Sequence, residues 1–353
     1  MIAGASSVVA QTQPPRTRLD NFDRRLVSAP DPAKPAPEQI RALEGLRTEN
    51  PRISVDFDSI TGSPHFIRSA EGFLFKQANA GAAAAANDPP PVRARAVTQA
   101  FLEQYQNLFE HGAAVLNSAR VRREYSTARS GVHTIVWEQN LDGLPLADAL
   151  FISHCTAAGE LVSISSQFIP DPAQASGLAA PERARLVAAP PITIEQAVAR
   201  AAQDVGDAVP IAGVRRVPPP DGAPAPWTRL TAGVLPGEVF GQLTWLPTAP
   251  QQLKLCWEII LTSQLRKEMF RVLLDAQTGE VWLRIGLTAY ATPATYHVYT
   301  SDSPSPLSPG HPLPSTNQPP LTSRVLVVTN ALSLEASPNG WINDADNETR
   351  GNN

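Results

Sequence analysis

The stretch that decides the fold class is Thr134-Ile-Val-Trp-Glu-Gln-Asn-Leu-Asp-Gly-Leu-Pro-Leu-Ala-Asp-Ala-Leu-Phe-Ile-Ser-His-Cys155. Residues 134–140 and 149–155 are rich in β-branched and aromatic side chains, a composition typical of strands. Between them, Asp142 and Gly143 give a turn signal, because both residue types tolerate the positive φ that tight turns need. The stretch therefore predicts two strands connected by a turn.

Further strands and one helix are predicted around this pair. A helix over 96–110 places Val97 and Phe101 on one face, and Gly112 lies where a helix C-cap belongs. One helix on an antiparallel meander is an α+β arrangement. The other predicted strands are 121–125 and 160–168, and turns are predicted at 129–131 and 157–159.

The same plan recurs further along the chain. A second helix is predicted over 193–205, where Thr193 and Gln196 have the spacing of a capping box. The strands predicted after it are 241–245, 253–261, 268–274 and 280–285. Ahead of the first plan, residues 35–47 predict a short helix that leads into a hairpin. The fold class is therefore α+β, with two helix-plus-antiparallel-meander domains.

Proline marks the predicted boundaries of these domains. The chain of 353 residues has 35 prolines, and they form bands between the periodic segments, as in linkers and edges. The predicted organisation is a disordered amino terminus over 1–34, a first domain over 35–170, a linker over 171–191, a second domain over 192–299 and a proline-rich, irregular tail over 300–353.

Composition and charge exclude several classes of function. A net charge of −4 provides no basic surface for nucleic acid or for an anionic membrane. No apolar run approaches the ~20 residues that span a bilayer. Residues 2–10, which end in Val8-Val9-Ala10, fit the end of a secretory signal and also fit a disordered tail. We expect the former, and hence a secreted protein without nucleic-acid or membrane partners.

The histidines do not form a catalytic metal site. A zinc peptidase of the commonest kind needs His-Glu-x-x-His, and this motif is absent from the sequence. His133 and His154 could meet across neighbouring strands, but two imidazoles without a third ligand make a weak metal site. The six histidines are His65, His111, His133, His154, His297 and His311.

Other catalytic constellations are also missing from the sequence. It contains neither a Gly-x-Ser-x-Gly elbow nor a glycine loop for phosphate. His154 and Cys155 are adjacent in a predicted strand, so their side chains should point to opposite faces. The acidic run at 343–348 lacks the central glycine of an EF-hand loop and is expected to be a solvated loop. We therefore expect no catalytic, metal or cofactor residue in this chain.

The two cysteines, Cys155 and Cys256, leave two alternatives. In an exported protein they could form a disulfide that closes a loop of about 100 residues, worth roughly 4.7 kcal/mol. Both lie in predicted strands, where buried free thiols are common. We expect two separate buried thiols.

The order of several motifs carries a family resemblance. Ser130-Gly-Val-His133, Trp137-Glu-Gln-Asn140, Gly143-Leu-Pro-Leu146 and Gly159-Glu-Leu-Val-Ser163 together resemble the fungalysin and thermolysin propeptide domain. Leu255-Cys-Trp-Glu-Ile-Ile260 and Asp275-Ala-Gln-Thr-Gly-Glu-Val281 resemble the PepSY-type module that follows it in such precursors. The resemblance implies cystatin-like propeptide domains. It gives a scaffold role to Trp137, Gln139, Gly143, Pro145, Trp257, Asp275 and Gly279.

The tail extends the resemblance. Ser337-Pro-Asn-Gly-Trp341 and the run from Thr349 to Asn353 are similar to the first residues of a fungalysin peptidase domain, whose zinc-binding helix comes well downstream. The resemblance therefore implies a pro-region that is not itself an enzyme, from a zinc metallopeptidase precursor truncated before the catalytic domain. The zinc is expected in that missing domain.

Three functions follow as hypotheses. The first is a non-catalytic pro-region that acts as intramolecular chaperone and inhibitor of a secreted fungalysin-like peptidase, normally joined to it in cis. Its contact surface would be the sheet face opposite the packing helix, or the 171–191 linker lying across the catalytic cleft. The second is a stand-alone secreted binding module that docks on a foreign peptidase or surface partner. The third, a complete hydrolase with an unfamiliar site, would need residues that the sequence does not offer.

Overall fold

The structure is a computed structural model that describes residues 19–28, 34–76, 88–218 and 227–288, together with the backbone of strands at 295–298 and 325–328. The chain divides into two compact units, residues 1–287 and 288–353. In the second unit, Thr295–Val298 pairs antiparallel with Val325–Val328.

The described elements of the first unit are as follows. Its α-helices are α1 (Arg24–Ser28), α2 (Pro37–Glu49), α3 (Pro90–Gln104), α4 (Gln106–Phe109), α5 (Val115–Ser118), α6 (Pro172–Ala175), α7 (Ala180–Ala188) and α8 (Ile194–Asp204). Its strands are β1 (Phe22–Asp23), β2 (Ile53–Phe57), β3 (Pro64–Ser69), β4 (Arg120–Ser126), β5 (His133–Leu141), β6 (Leu144–Cys155), β7 (Leu161–Ser166), β8 (Val214–Val217), β9 (Thr228–Ala232), β10 (Val239–Ala249), β11 (Gln252–Thr262), β12 (Met269–Asp275) and β13 (Val281–Gly286).

These thirteen strands form one sheet. The main order is β1-β13-β12-β11-β10-β6-β7-β3-β2, while β4 pairs with β5, β5 with β6, β8 with β9 and β9 with β10. Every pairing is antiparallel except that of β6 with β10, where Leu146 lies opposite Trp245 in parallel register. The predicted α+β class is confirmed. The two predicted meanders meet at this parallel seam.

The first core lies between α3 and strands β5 to β7. Phe101 of α3 is fully buried and contacts Phe109, and Phe109 in turn contacts Phe151 of β6, with ring centroids 6.1 and 6.2 Å apart. Trp137 of β5 packs edge-on against Phe151 at 5.6 Å. Helix α3 begins at Pro90, before the predicted start, because proline is tolerated in a first turn where its missing N–H has no helical partner.

The second core lies beneath α8, whose start is the predicted capping box. The Gln196 N–H donates to Thr193 Oγ1 at 3.3 Å, and the Thr193 N–H donates to Gln196 Oε1 at 2.9 Å. Ala149 belongs to this core and Phe151 to the first, and both are fully buried. Because the two residues lie two positions apart on β6, both cores occupy the same face of the sheet.

A third, smaller cluster lies on the opposite face. Leu246, Cys256 and Leu273 are fully buried there. Residues 19–28 lie beside it: Phe22–Asp23 pairs with β13, and the Arg25 guanidinium donates to the Pro247 carbonyl at 3.2 Å. The sequence placed residues 19–28 in a disordered amino terminus, but they form β1 and α1. The suggested signal remnant at Val8-Val9-Ala10 lies outside the described residues.

The segment 171–191 also has more structure than its polar composition suggested. Asp171 caps α6 by accepting from the Gln174 N–H at 3.0 Å. In α7, Arg183 is buried and donates to Asp142 at 2.5 Å, which ties this helix to the turn between β5 and β6. The segment therefore contains two short helices, of which α7 is held to the turn between β5 and β6, and a polar, proline-bearing composition did not reveal them.

Candidate functional site

The candidate site is a groove of about 460 Å³ at the seam between β6 and β10. It lies on the face opposite α8. On β11, Trp257 and Ile259 point into the core beneath that helix, so Glu258 between them points to the groove. The charged residues that line the groove are Arg120, Arg122, Glu138, Asp148, Glu258 and Arg271.

One side of the groove is built around Arg271. Its Nε donates to Glu258 Oε1 at 2.5 Å and its Nη1 donates to Asp148 Oδ1 at 2.8 Å. The second Glu258 oxygen accepts from Gln242 Nε2 at 2.7 Å. Burial disfavours the charged guanidinium, but Glu258 and Asp148 outweigh it and raise the pKa of Arg271. This side therefore carries a fixed network of hydrogen-bonded ion pairs.

The other side of the groove carries Glu138 with two arginines. Arg120 Nη2 donates to Glu138 Oε2 at 2.6 Å, and Arg122 Nη1 lies 3.6 Å from Glu138 Oε1. Glu138 is 10% exposed at its side chain, whereas the two arginine side chains are 59% and 57% exposed. The carboxylate is thus sheltered, and the guanidiniums remain accessible to a partner.

Two of the scaffold residues suggested by the resemblance also line the groove. Gly143 has φ 80° in the turn between β5 and β6, a value that L side chains rarely adopt. The Pro145 carbonyl accepts from Thr244 Oγ1 at 2.9 Å, which links β6 to β10 at the seam. These residues shape the groove through the backbone and supply no reactive group.

The remaining scaffold residues lie elsewhere in the fold. Trp137 is buried in the first core. The Gln139 side-chain amide donates to the Ile169 carbonyl at 2.7 Å and accepts from the Ile169 N–H at 2.8 Å. Trp257 donates to the Ile192 carbonyl at 2.7 Å, ahead of α8. Asp275 accepts from two N–H groups of the turn between β12 and β13, which ends at Gly279 with φ 74°. The structure does not bring these residues together at one site.

Both cysteines are free and fully buried, in different clusters. Burial raises the pKa of Cys155 to about 11. Burial and the charge of Asp275 raise the pKa of Cys256 as well. Because the thiolate is the reactive form, neither thiol is suited to nucleophilic chemistry in the folded chain.

The side chains of His133 on β5 and His154 on β6 lie on opposite faces of the sheet. His154 Nδ1 lies 2.9 Å from Thr134 Oγ1, whereas His133 bonds to residues of β4 on the other face, so the two imidazoles do not meet. Within the described ranges of the chain, no three His, Cys, Asp or Glu side chains are grouped so that they could hold a metal ion. His297 and His311 belong to the part whose side chains are not described.

The sequence did not predict one hydrogen-bonded network of polar side chains, which joins Ser126, His133 and Glu124. Ser126 Oγ lies 2.9 Å from His133 Nδ1, and His133 Nε2 lies 3.0 Å from Glu124 Oε1. The order serine, histidine, carboxylate is that of a hydrolase triad, but Glu124 is also paired with Arg95 of α3. The bonds to His133 and Arg95 outweigh burial and lower the pKa of Glu124. Because the charge of Glu124 is already balanced by Arg95, this carboxylate would stabilise a His133 imidazolium poorly. The hydrogen-bonded network therefore has a structural role, in which it joins β4, β5 and α3.

Comparison with known proteins adds little to this description. No family model matches the chain, and no curated protein matches it. Among solved structures, the chain is similar to the Bacillus megaterium YpeB C-terminal domain at 10% sequence identity, with a TM-score of 0.25, covering 73% of this chain and 100% of that one. A likeness at this level carries no argument about what the chain binds. In the helices of the described part, we also find none long and apolar enough to cross a membrane.

Proposed function

We propose that this chain is a non-catalytic pro-region that assists the folding of a secreted fungalysin-like zinc metallopeptidase and inhibits it. The zinc would belong to the peptidase. The observation that carries the proposal is the groove at the seam, because it presents paired charges and two accessible guanidiniums on the sheet face away from α3 and α8. Such a surface suits the recognition of a folded polypeptide, since fixed charges select a partner by complementarity.

A pro-region needs only modest affinity to act in cis. A covalent tether gives an effective concentration on the order of millimolar. A contact with a dissociation constant on the order of micromolar would then stabilise the folded peptidase by about 4 kcal/mol, provided that it binds the unfolded state much more weakly. The same contact placed near the catalytic cleft would exclude substrate. Folding assistance and inhibition can therefore arise from one interface.

The test is addition of this chain in trans to a fungalysin-like peptidase that has been unfolded without its own pro-region. We expect a higher yield of active enzyme on refolding, measured after the added chain is removed. We also expect dose-dependent inhibition of casein hydrolysis by the native enzyme. If neither the refolding yield nor the hydrolysis rate changes at 100 µM added chain, about a hundred times the micromolar dissociation constant considered above, the proposal fails.

Matched variants locate the contact. Arg120→Glu and Arg122→Glu reverse exposed charges at the groove, and each should weaken inhibition at least tenfold. Arg41→Glu changes an arginine on α2 that pairs with Glu38 and is more exposed than either groove arginine, and it should leave inhibition unchanged. Inhibition that survives both groove variants would move the contact to the other candidate surface, the segment 171–191.

The alternative is a stand-alone secreted module that docks on a foreign peptidase or on a surface partner. Exposed edge strands favour this function, because strand addition is a common route to peptide recognition. The coding sequence beyond the codon for Asn353 separates the two functions. An open frame that leads to His-Glu-x-x-His supports the pro-region, and a stop codon supports the separate module.

A further inference from the structure

We propose that the free edge of β4 is a binding site for an extended acidic segment of a partner chain, which adds to the sheet as a strand. The inference deepens the proposed function, because it names the element through which a partner would dock. Its test uses peptides alone, so it can fail while the peptidase contact stands, and the reverse also holds.

The edge is long and open. Strand β4 has seven residues, all of them exposed, and within the described part of the chain its only strand partner is β5. The other edge strands in that part, β2, β8 and β1, have five, four and two residues. An unpaired strand of this length presents a row of backbone donors and acceptors that can pair with another chain.

The side chains of this edge give it a distinct charge. Arg123 lies opposite Val136 and Tyr125 opposite Thr134 in the β4–β5 register. Both point to the open face, and the Arg123 guanidinium stacks on the Tyr125 ring at 4.6 Å. Arg120 and Arg122 reach the same face, where they contact Glu138. Three guanidiniums thus accompany one sheltered carboxylate, in a chain whose net charge is −4.

The fourth charged residue of β4 does not alter this balance. Glu124 faces the other side of the sheet, where it is bonded to His133 and paired with Arg95. Its charge is therefore already matched within the chain. The accessible charge along the open face of the edge is positive, and the complementary occupant is an acidic one.

The charge also excludes a second copy as the occupant. Two β4 strands paired with each other would bring arginines from both copies onto one small surface, and like charges in close cross-strand positions are destabilising. Charged edges commonly prevent such self-pairing. A partner strand with carboxylates at alternate positions would instead be attracted to this edge. Its residues i, i+2 and i+4 lie on one face, so their carboxylates can contact the guanidiniums together.

The probe is a fluorescent peptide, acetyl-Thr-Glu-Val-Glu-Val-Glu-Thr-amide, titrated into the full chain at 50 mM salt. We expect saturable binding by anisotropy, and slower hydrogen exchange of β4 amides in the complex. A lysine peptide of the same pattern should bind at least tenfold more weakly. Raising the salt to 500 mM should weaken the acidic peptide severalfold, because exposed charges are screened.

Two further comparisons separate strand addition from simple charge attraction. The acidic peptide methylated at every backbone nitrogen keeps its charges but can donate no backbone hydrogen bond to the edge, and it should bind at least tenfold more weakly. Arg123→Glu should weaken the unmodified peptide at least tenfold, while Arg41→Glu should not. Equal binding of the methylated and unmodified peptides, or unchanged exchange of the β4 amides, would overturn the inference.

Discussion

Arg271 of β12 donates to Asp148 of β6 at 2.8 Å, although the two residues are 123 positions apart in the chain. Asp148 adopts φ 61°, in the left-handed region that aspartate tolerates better than most residues. The same guanidinium holds Glu258, whose side chain is 8% exposed. A single arginine therefore joins the two predicted meanders on the groove side of their seam.

The first prediction concerns this arginine. Arg271→Met should lower the free energy of unfolding by about 3 kcal/mol, because it leaves the Glu258 carboxylate sheltered from water without its cation. Arg271→Met combined with Glu258→Gln should recover at least half of the loss, since the carboxylate that remains without its cation, Asp148, is 43% exposed and solvated. Urea unfolding followed by tryptophan fluorescence measures both values.

Arg41→Met is the matched control for Arg271→Met. Arg41 and Glu38 are 71% and 76% exposed at their side chains, and exposed pairs contribute little to stability. The control should change the free energy of unfolding by less than about 0.5 kcal/mol. A loss for Arg271→Met no larger than that of the control would show that the network does not stabilise the seam.

The second prediction concerns His111, which contacts the rings of Phe109 and Phe168. Burial lowers the pKa of His111 to about 4. The unfolded chain, with the ordinary pKa of ~6.5, takes up this proton first as the pH falls, so acid favours unfolding. Between pH 7.5 and 5, His111 should therefore reduce the free energy of unfolding by about 2 kcal/mol.

His111→Gln should remove most of this pH dependence, whereas His65→Gln, at an exposed position, should preserve it. Burial also lowers the pKa of His154, so a smaller slope of the same sign should remain in the His111 variant. Urea titrations at several pH values test the prediction. Identical slopes for wild type and His111→Gln would contradict it.

The sequence was sufficient for elements defined by local patterns. The capping box of Thr193 and Gln196 identified α8, because its two hydrogen bonds join residues three positions apart. A strand-like composition, rich in β-branched and aromatic side chains, likewise indicated β5. Both meanders were predicted for the same reason.

The groove could not be predicted, because its partners are remote in sequence. The parallel contact of Leu146 with Trp245 is a single register position, and no local pattern encodes it.

The contact between Ser126 and His133 could have been predicted more easily, because the two residues are close in sequence. Residues 126 and 133 flank the predicted turn at 129–131, so a fixed hairpin register would have placed them opposite each other.

The third prediction concerns the thiols. Cys155 and Cys256 are fully buried, and burial raises the pKa of each, so Ellman's reagent at pH 8 should detect no thiol in the native chain and two in denaturant. A Thr48→Cys variant, at an exposed position of α2, should react at once and serve as the control. A count of zero in denaturant without reductant would instead indicate a disulfide.

The fourth prediction concerns the turn between β12 and β13. Gly279 has φ 74°, and a Cβ added there would lie 1.8 Å from Arg200 Nη1, which donates to the Thr278 carbonyl at 2.6 Å. Gly279→Ala should therefore lower the free energy of unfolding by about 1–2 kcal/mol from the backbone conformation alone. Displacement of Arg200 adds to this loss.

Gly45→Ala provides the opposite case within the same chain. Gly45 lies inside α2 with no atom within 4 Å of an added Cβ, so alanine should stabilise the chain by about 0.5–1 kcal/mol. Gly279→Ala combined with Arg200→Ala removes the steric contact but retains the unfavourable φ. If this double variant were as stable as Arg200→Ala alone, the left-handed backbone would not be the reason that the turn requires glycine.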